Sequence, residues 1–255
     1  MSGHLIGTGM TKRYAGLVAN DNIDVEVRPG EIVGLIGPNG AGKTTLFNCL
    51  TGAQKLTAGR IKLNGKDITA MPAADRARLG LSRTFQQSQL FRHLSVEENL
   101  LLGRHRNYGA GSLLGAIGLA GRAERAARGV VATIAEQCGL IDVLAAPVGD
   151  LPYGTQRMVE VARAIVMNPE VLLVDEPAAG MDSTESEYFG ALLRRISRER
   201  EMSVLIIEHD VAMVLGICDR VYVLNFGKLL ATGSPADIRA NAEVRAAYLG
   251  STVTG

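Results

Sequence analysis

The chain has 255 residues, of which 47% are hydrophobic and 21% charged, near the globular average; this excludes disorder and fibrous repeats. With 27 Lys and Arg against 26 Asp and Glu, the net charge of +1 lacks the strongly basic face of a dedicated nucleic-acid binder. Cys49, Cys138 and Cys218 lie far apart with no CxxC pair, the usage of reduced thiols in a cytosolic protein rather than of a disulfide framework or zinc site.

In chain order, the opening MSGHLIGTGMTKRY has neither the basic start nor the apolar core of a signal peptide. Residues 23–28 (IDVEVR) alternate as a half-buried strand, and 31–36 (EIVGLI) form a second strand running into a glycine-rich turn. Residues 60–63 make a short strand closed by Asn64-Gly65. From 76 to 149 the pattern is mostly helical and interrupts the strand series, which predicts a separate lobe. Within it, Ser95 and Glu98 form a capping box at the start of a helix over 95–103, and 121–139 is an Ala- and Arg-rich helix. There Arg122, Arg125 and Arg128 make a basic stripe at helical spacing, read as a solvated face. The uncharged stretch 107–121 is broken by glycines and shorter than the ~20 apolar residues of a membrane span.

Residues 171–174 and 203–207 are continuous apolar runs, the mark of buried parallel strands, with a charged amphipathic helix over 183–201 between them. A hairpin joins 221–224 to 228–231 through Asn225-Phe226-Gly227. Ser234, Pro235 and Asp237 then open a last helix. Strands separated by helices predict an α/β fold with a mainly parallel sheet.

The chemistry is carried first by residues 37–45, GPNGAGKTT, which fit G-x-x-x-x-G-K-[ST] between a predicted strand and a predicted helix. In that context the backbone N–H groups of residues 39–44 can curl around phosphate oxygens, helped by the helix N-terminus. Gly37, Pro38, Asn39, Gly40, Ala41, Gly42, Lys43, Thr44 and Thr45 are therefore candidate nucleotide ligands. Lys43 supplies a full charge, and the Thr44 hydroxyl is a candidate Mg²⁺ ligand. Asp175 and Glu176 end the apolar strand VLLV, at the sheet edge where open α/β sheets bind ligands. Asp175 is placed to hold Mg²⁺ and Glu176 to orient and deprotonate the attacking water. Pro152, Tyr153, Gly154, Thr155 and Gln156 precede a strongly periodic helix; alone, they read as a loop before a core helix.

Together the phosphate loop, SRTFQQ, LPYGTQR, VLLVDEP and LIIEHD, in this order, resemble the ATP-binding subunits of ABC transporters over nearly the whole chain. GPNGAGKTTLFNCLTG, RTFQQSQLFRHLSVEENLLLGRH, DEPAAGMD, CDRVYVLNFGKLLATGSP and VRAAYLG are most similar to subunits of branched-chain amino-acid importers. Relatives that move urea or amides share much of this. The resemblance implies a P-loop ABC-type nucleotide-binding domain over 1–255, with an antiparallel β part and a helical subdomain over about 88–165. It makes Tyr14 the aromatic under the adenine, and Gln86 a contact of Mg²⁺ or the lytic water. His209 becomes a γ-phosphate contact, catalytic with Glu176 and Gln86, and Asp182 the acid at a dimer interface.

The same resemblance implies ATP and Mg²⁺ as ligands, two integral-membrane permease subunits, and a second ATP-binding subunit, different or a second copy. A periplasmic substrate-binding protein takes part indirectly, nucleic acid does not, and the location is the cytoplasmic face of the inner membrane. ATP closes the dimer and hydrolysis reopens it. In such a dimer, the segment 152–156 acts on the other subunit's ATP. The family pattern has serine at Pro152 and glutamine at Thr155; proline offers a phosphate neither hydroxyl nor N–H. The site that borrows this segment is expected to be weakened, which would suit a heterodimer. The competing readings are weaker: there is no NKxD base reader for a GTPase, and no second nucleotide module for a non-transport ABC protein. A regulatory module without turnover is disfavoured by intact Glu176 and His209.

Overall fold

The computed structural model describes residues 3–84, 90–104 and 120–249, and the chain divides into two compact units. The first comprises residues 1–83 and 170–255. Its elements are β1 (Leu5–Tyr14), β2 (Leu17–Val27), β3 (Ile32–Ile36), α1 (Lys43–Thr51), β4 (Ala58–Leu63), β5 (Lys66–Asp67), α2 (Ala73–Arg78) and β6 (Leu81–Arg83). After the intervening unit come β7 (Val171–Asp175), α6 (Ser183–Glu199), β8 (Ser203–Ile207), α7 (Val211–Ile217), β9 (Arg220–Asn225), β10 (Lys228–Gly233), α8 (Pro235–Ala240) and α9 (Ala242–Leu249).

Two sheets form this unit. A six-stranded sheet has the order β10-β9-β3-β8-β7-β6, parallel except for the β9–β10 hairpin. A four-stranded antiparallel sheet has the order β2-β1-β4-β5. Every residue of β3, β7 and β8 is buried, which is why these strands read as unbroken apolar runs rather than alternations. Leu46, Phe47 and Leu50 of α1 pack into one core with Val33 and Leu35 of β3, Ile23 and Val25 of β2, and Leu173 and Leu205. Burying each such side chain is worth about 1.5–3 kcal/mol, so α1 is clamped between the sheets by its own apolar stripe.

Strand β1 has no sequence precedent in the alternation rule. Its run LIGTGMTKRY contains two glycines, and its pairing with β2 shifts register three times, so the period-2 pattern is blurred. Strand β6 corrects the expectation of a helical stretch from 76 onward: Leu81–Arg83 pairs in parallel with β7 and completes the sheet.

The second unit spans Thr84–Pro169. It contains α3 (Val96–Arg104), α4 (Ala120–Gln137) and α5 (Tyr153–Ile165), with α3 packed on α4 and α5. The capping box at Ser95 is present: Glu98 N–H donates to Ser95 Oγ at 3.2 Å, and Ser95 N–H donates to Glu98 Oε2 at 2.7 Å. Asn99, fully buried, fastens the preceding turn by accepting from Phe91 N–H at 2.9 Å and donating to Phe91 O at 3.0 Å. In the basic stripe Arg128 pairs with Glu97 at 3.0 Å, whereas the Arg122 side chain lies outside the described residues. All three cysteines are buried free thiols.

Candidate functional site

Three neighbouring parallel strands deliver the site. β8 lies between β3 and β7, and both Leu35 and Asp175 stand level with Ile207 in the ladder. The segments that follow, residues 37–42, 176 and 208–209, therefore emerge side by side at one carboxyl edge of the sheet, where an open α/β sheet binds ligands.

Beyond β3 the chain makes a tight loop. Ala41 N–H donates to Pro38 O at 3.1 Å, a bond that closes the loop on itself. Gly42, at φ 95°, is the N-cap of α1 and has no side-chain cap, which leaves the first N–H groups of the helix directed outward. A Cβ on Gly42 would stand 2.4 Å from Ala19 O, so β2 approaches the loop too closely for any other residue. Asn20 Nδ2 donates to Gly42 O at 3.1 Å, and Gly227 N–H donates to Ala41 O at 3.1 Å, holding the loop from two sides. Lys43 is buried and donates from Nζ to Gly37 O at 2.7 Å and to Pro38 O at 3.1 Å. Burial pulls its pKa down, and the charges of Glu176 and Asp175 oppose that shift.

At the ends of β7 and β8, Glu176 and His209 meet. His209 Nε2 and Glu176 Oε1 are 2.7 Å apart; an ionised carboxylate only accepts, so the ring donates from Nε2. Glu176 sits at φ 47°, a left-handed conformation costly for a side-chain-bearing residue and frequent at functional sites. Its N–H donates to Ile207 O at 2.9 Å, locking that kink to the neighbouring strand.

Asp175 is buried, and its pKa is pushed from 3.8 up to about 6, chiefly by burial and then by Glu176, with Arg83 tempering the shift. A buried carboxylate crowded by others is relieved by a cation. With the Thr44 hydroxyl it offers hard oxygen donors of the kind Mg²⁺ accepts. Among the described residues no group of three or more His, Cys, Asp or Glu forms a metal cage. A divalent ion fits only if phosphate and water complete its shell, the usual arrangement for Mg²⁺.

A prediction follows for the protein free of nucleotide and Mg²⁺. Because the folded pKa exceeds the unfolded one, the folded chain binds more protons between pH 3.8 and about 6, and stability from this group falls as pH rises through that window. Asp175→Asn is therefore expected to raise the melting temperature at pH 7.5, with the gain shrinking on acidification and gone near pH 4. A gain that is independent of pH, or a loss at pH 7.5, would contradict this.

The loop and pair open on a cleft of roughly 500 Å³. It is lined by Asn39, Gly40, Ala41, Gly42, Lys43, Thr44, Thr45, Glu176 and His209, together with Tyr14, Leu17, Val18, Ala19, Phe226 and Gly227. Lys12 Nζ covers one face of Tyr14 at 4.8 Å, and the Tyr14 hydroxyl is bonded to Gln54. Sequence reasoning missed Leu17, Val18 and Phe226; the last was read only as a hairpin turn, yet it is 88% exposed beside the cleft. Asp182 caps α6 with a reciprocal box, accepting from Glu185 N–H at 2.9 Å.

Gln86 lies outside the described residues. Residues 152–156 belong to the helical unit. There Pro152 is the N-cap of α5, Gln156 Nε2 donates to Leu151 O at 2.8 Å, and the Tyr153 hydroxyl accepts from Arg157 Nε at 2.8 Å. Gly154 and Thr155 fall within the first turn of α5.

Comparison with known proteins agrees with this geometry. Residues 20–179 match the family described as ABC transporter, and residues 228–254 match that described as branched-chain amino acid ATP-binding cassette transporter. The chain is 43% identical over 244 residues to the high-affinity branched-chain amino acid transport ATP-binding protein LivG of Salmonella typhimurium, covering 95% of this chain and 96% of the relative. It is 41% identical to the corresponding protein BraF of Pseudomonas aeruginosa, with the same coverage. A solved nucleotide-free ATP-binding cassette from an ABC transporter superposes with a TM-score of 0.84 at 30% identity, covering 97% of this chain and 99% of its own.

Proposed function

The chain belongs to the ABC transporter family, and on that premise we propose that it powers the uptake of branched-chain or related small amino acids by hydrolysing ATP at the cleft of Lys43, Glu176 and His209. ATP binding and hydrolysis are the properties of the family's ATP-binding subunits, and the chain has the corresponding P-loop fold. The observation that carries the catalytic reading is the 2.7 Å contact between Glu176 and His209, beside a phosphate loop whose lysine faces the same cleft.

In this reading Tyr14 offers its uncovered face to the adenine, and the loop from Gly37 to Thr45 wraps the phosphates. Lys43 exchanges its loop carbonyls for phosphate oxygens. Asp175 and Thr44 would hold Mg²⁺, which screens phosphate charge when bound. Glu176 orients a water in line with the terminal phosphorus and accepts its proton. The His209 N–H has two possible acceptors, the Glu176 carboxylate and a terminal phosphate oxygen. Moving to the phosphate frees Oε1 of the base. Gln86 contacts Mg²⁺ or the lytic water.

Among the described residues no helix is long and apolar enough to cross a membrane. In the proposed complex two integral-membrane permease subunits supply the pathway, with this chain peripheral at the cytoplasmic face of the inner membrane. A periplasmic binding protein delivers the cargo. Pro152 removes a hydroxyl and an N–H from the segment offered to the opposite ATP. That asymmetry favours a second, different ATP-binding chain as partner, with Asp182 at the interface. Purification from the native membrane is expected to recover two multi-span proteins and a second ATP-binding protein. Recovery of this chain alone, or a stable homodimer with two equally active sites, would contradict the assembly.

A further inference from the structure

Glu208 is a carboxylate beside His209 that the mechanism above leaves without a task. It is 2% exposed, at the end of β8 and next to His209. A buried carboxylate is costly unless its oxygens are satisfied, and this one is satisfied in an informative way. Oε1 accepts Ala178 N–H at 2.7 Å. Oε2 accepts His209 N–H at 2.7 Å and Asp210 N–H at 3.3 Å. One side chain thus binds the backbone two residues beyond Glu176 and the backbone of His209 itself. Pro177, between Glu176 and Ala178, has no N–H to offer. A second tie lies alongside, where Ser186 Oγ donates to Asp210 Oδ2 at 2.9 Å, joining α6 to the start of α7.

We infer that Glu208 is a positioning residue for hydrolysis, its carboxylate clamping the turn of Glu176 and Ala178 to the turn of His209 so that base and histidine keep their register. The Glu176–His209 contact spans two loops from different strands. The bond from Glu176 N–H to Ile207 O ties the strand ends, and the Glu208 clamp adds the tie between the segments beyond them; an error of about 1 Å in such a site costs ~100-fold in rate. Charge as well as shape matters. A carboxylate accepts on both oxygens, whereas a glutamine amide would set its NH₂ against one of these N–H donors.

This inference rests on the roles proposed for Glu176 and His209. The test is ATPase kinetics of the full chain as Glu208→Gln, Glu208→Asp, His209→Ala and Glu208→Gln/His209→Ala, with Glu176→Gln as control. Glu208→Gln is expected to lower kcat ~10- to 100-fold with KM for ATP within about twofold, since its side-chain bonds are to the backbone of Ala178, His209 and Asp210 and leave Lys43 and the phosphate loop as they are. In the His209→Ala background the same change should lower kcat by no more than about threefold, because both substitutions break one unit.

Glu208→Asp keeps the charge but has a shorter reach, and should give an intermediate kcat with unchanged KM. It stands in as the test if Glu208→Gln does not fold. Wild-type kcat in Glu208→Gln, or effects of Glu208→Gln and His209→Ala that simply multiply, would overturn the clamp. An active Glu176→Gln control would instead overturn the reading of the site on which the clamp depends.

Discussion

Glu176→Gln is expected to reduce ATP turnover by ~10²- to 10⁴-fold while ATP affinity stays within a few-fold of wild type. The amide keeps the shape of the side chain but has lost the ability to accept a proton, and the carboxylate is not a phosphate contact. The left-handed backbone at Glu176 is set by the strand-end register and the bond to Ile207, neither of which involves the side chain, so the variant should fold. The retained nucleotide is expected to be intact ATP. Steady-state hydrolysis and equilibrium binding of a fluorescent ATP analogue check the two halves separately. Normal turnover would show that another group activates the water.

Lys43→Ala is expected to act on binding. Lys43 Nζ presently satisfies Gly37 O and Pro38 O, and a phosphate competes for the same three protons. Losing a charge-assisted contact to phosphate costs about 2–3 kcal/mol, ~30- to 150-fold in Kd. The loop itself should loosen too, since two carbonyls lose their donor. The measurement is again equilibrium nucleotide binding; an unchanged Kd would mean that the loop does not hold the phosphates through its lysine. The two variants should thus separate, one losing chemistry with affinity kept and the other losing affinity first.

The parts of this site that were legible in the sequence are those whose physics is local. GPNGAGKTT carries its own turn and helix start, and VLLVDE carries a buried strand that ends in carboxylates. What was hidden is long-range. Nothing in 17–19 or 225–227 signals a cleft wall, because β2 and the β9–β10 hairpin reach the phosphate loop through long-range contacts such as those of Asn20 with Gly42 and of Gly227 with Ala41. The same holds for Glu208, which in LIIEHD is simply an acid beside a histidine until the fold sets Ala178 against it.

The fold shows a similar division. Buried strands β3, β7 and β8 announce themselves by unbroken apolar runs, whereas β1 is disguised by its glycines and register shifts. β6 is too short to show a period, and exists because β7 offers it an edge. Roles for Tyr14, Asp182 and Gln86 came from resemblance rather than from any pattern the residues form by themselves.

The most direct test of ATP-driven amino-acid uptake is the entry of labelled leucine into the native host when Glu176→Gln replaces the chromosomal copy. Leucine uptake at low external concentration is expected to be lost while protein level and membrane association stay at wild type. Undiminished leucine uptake, or a selective loss of urea or amide uptake instead, would contradict the account.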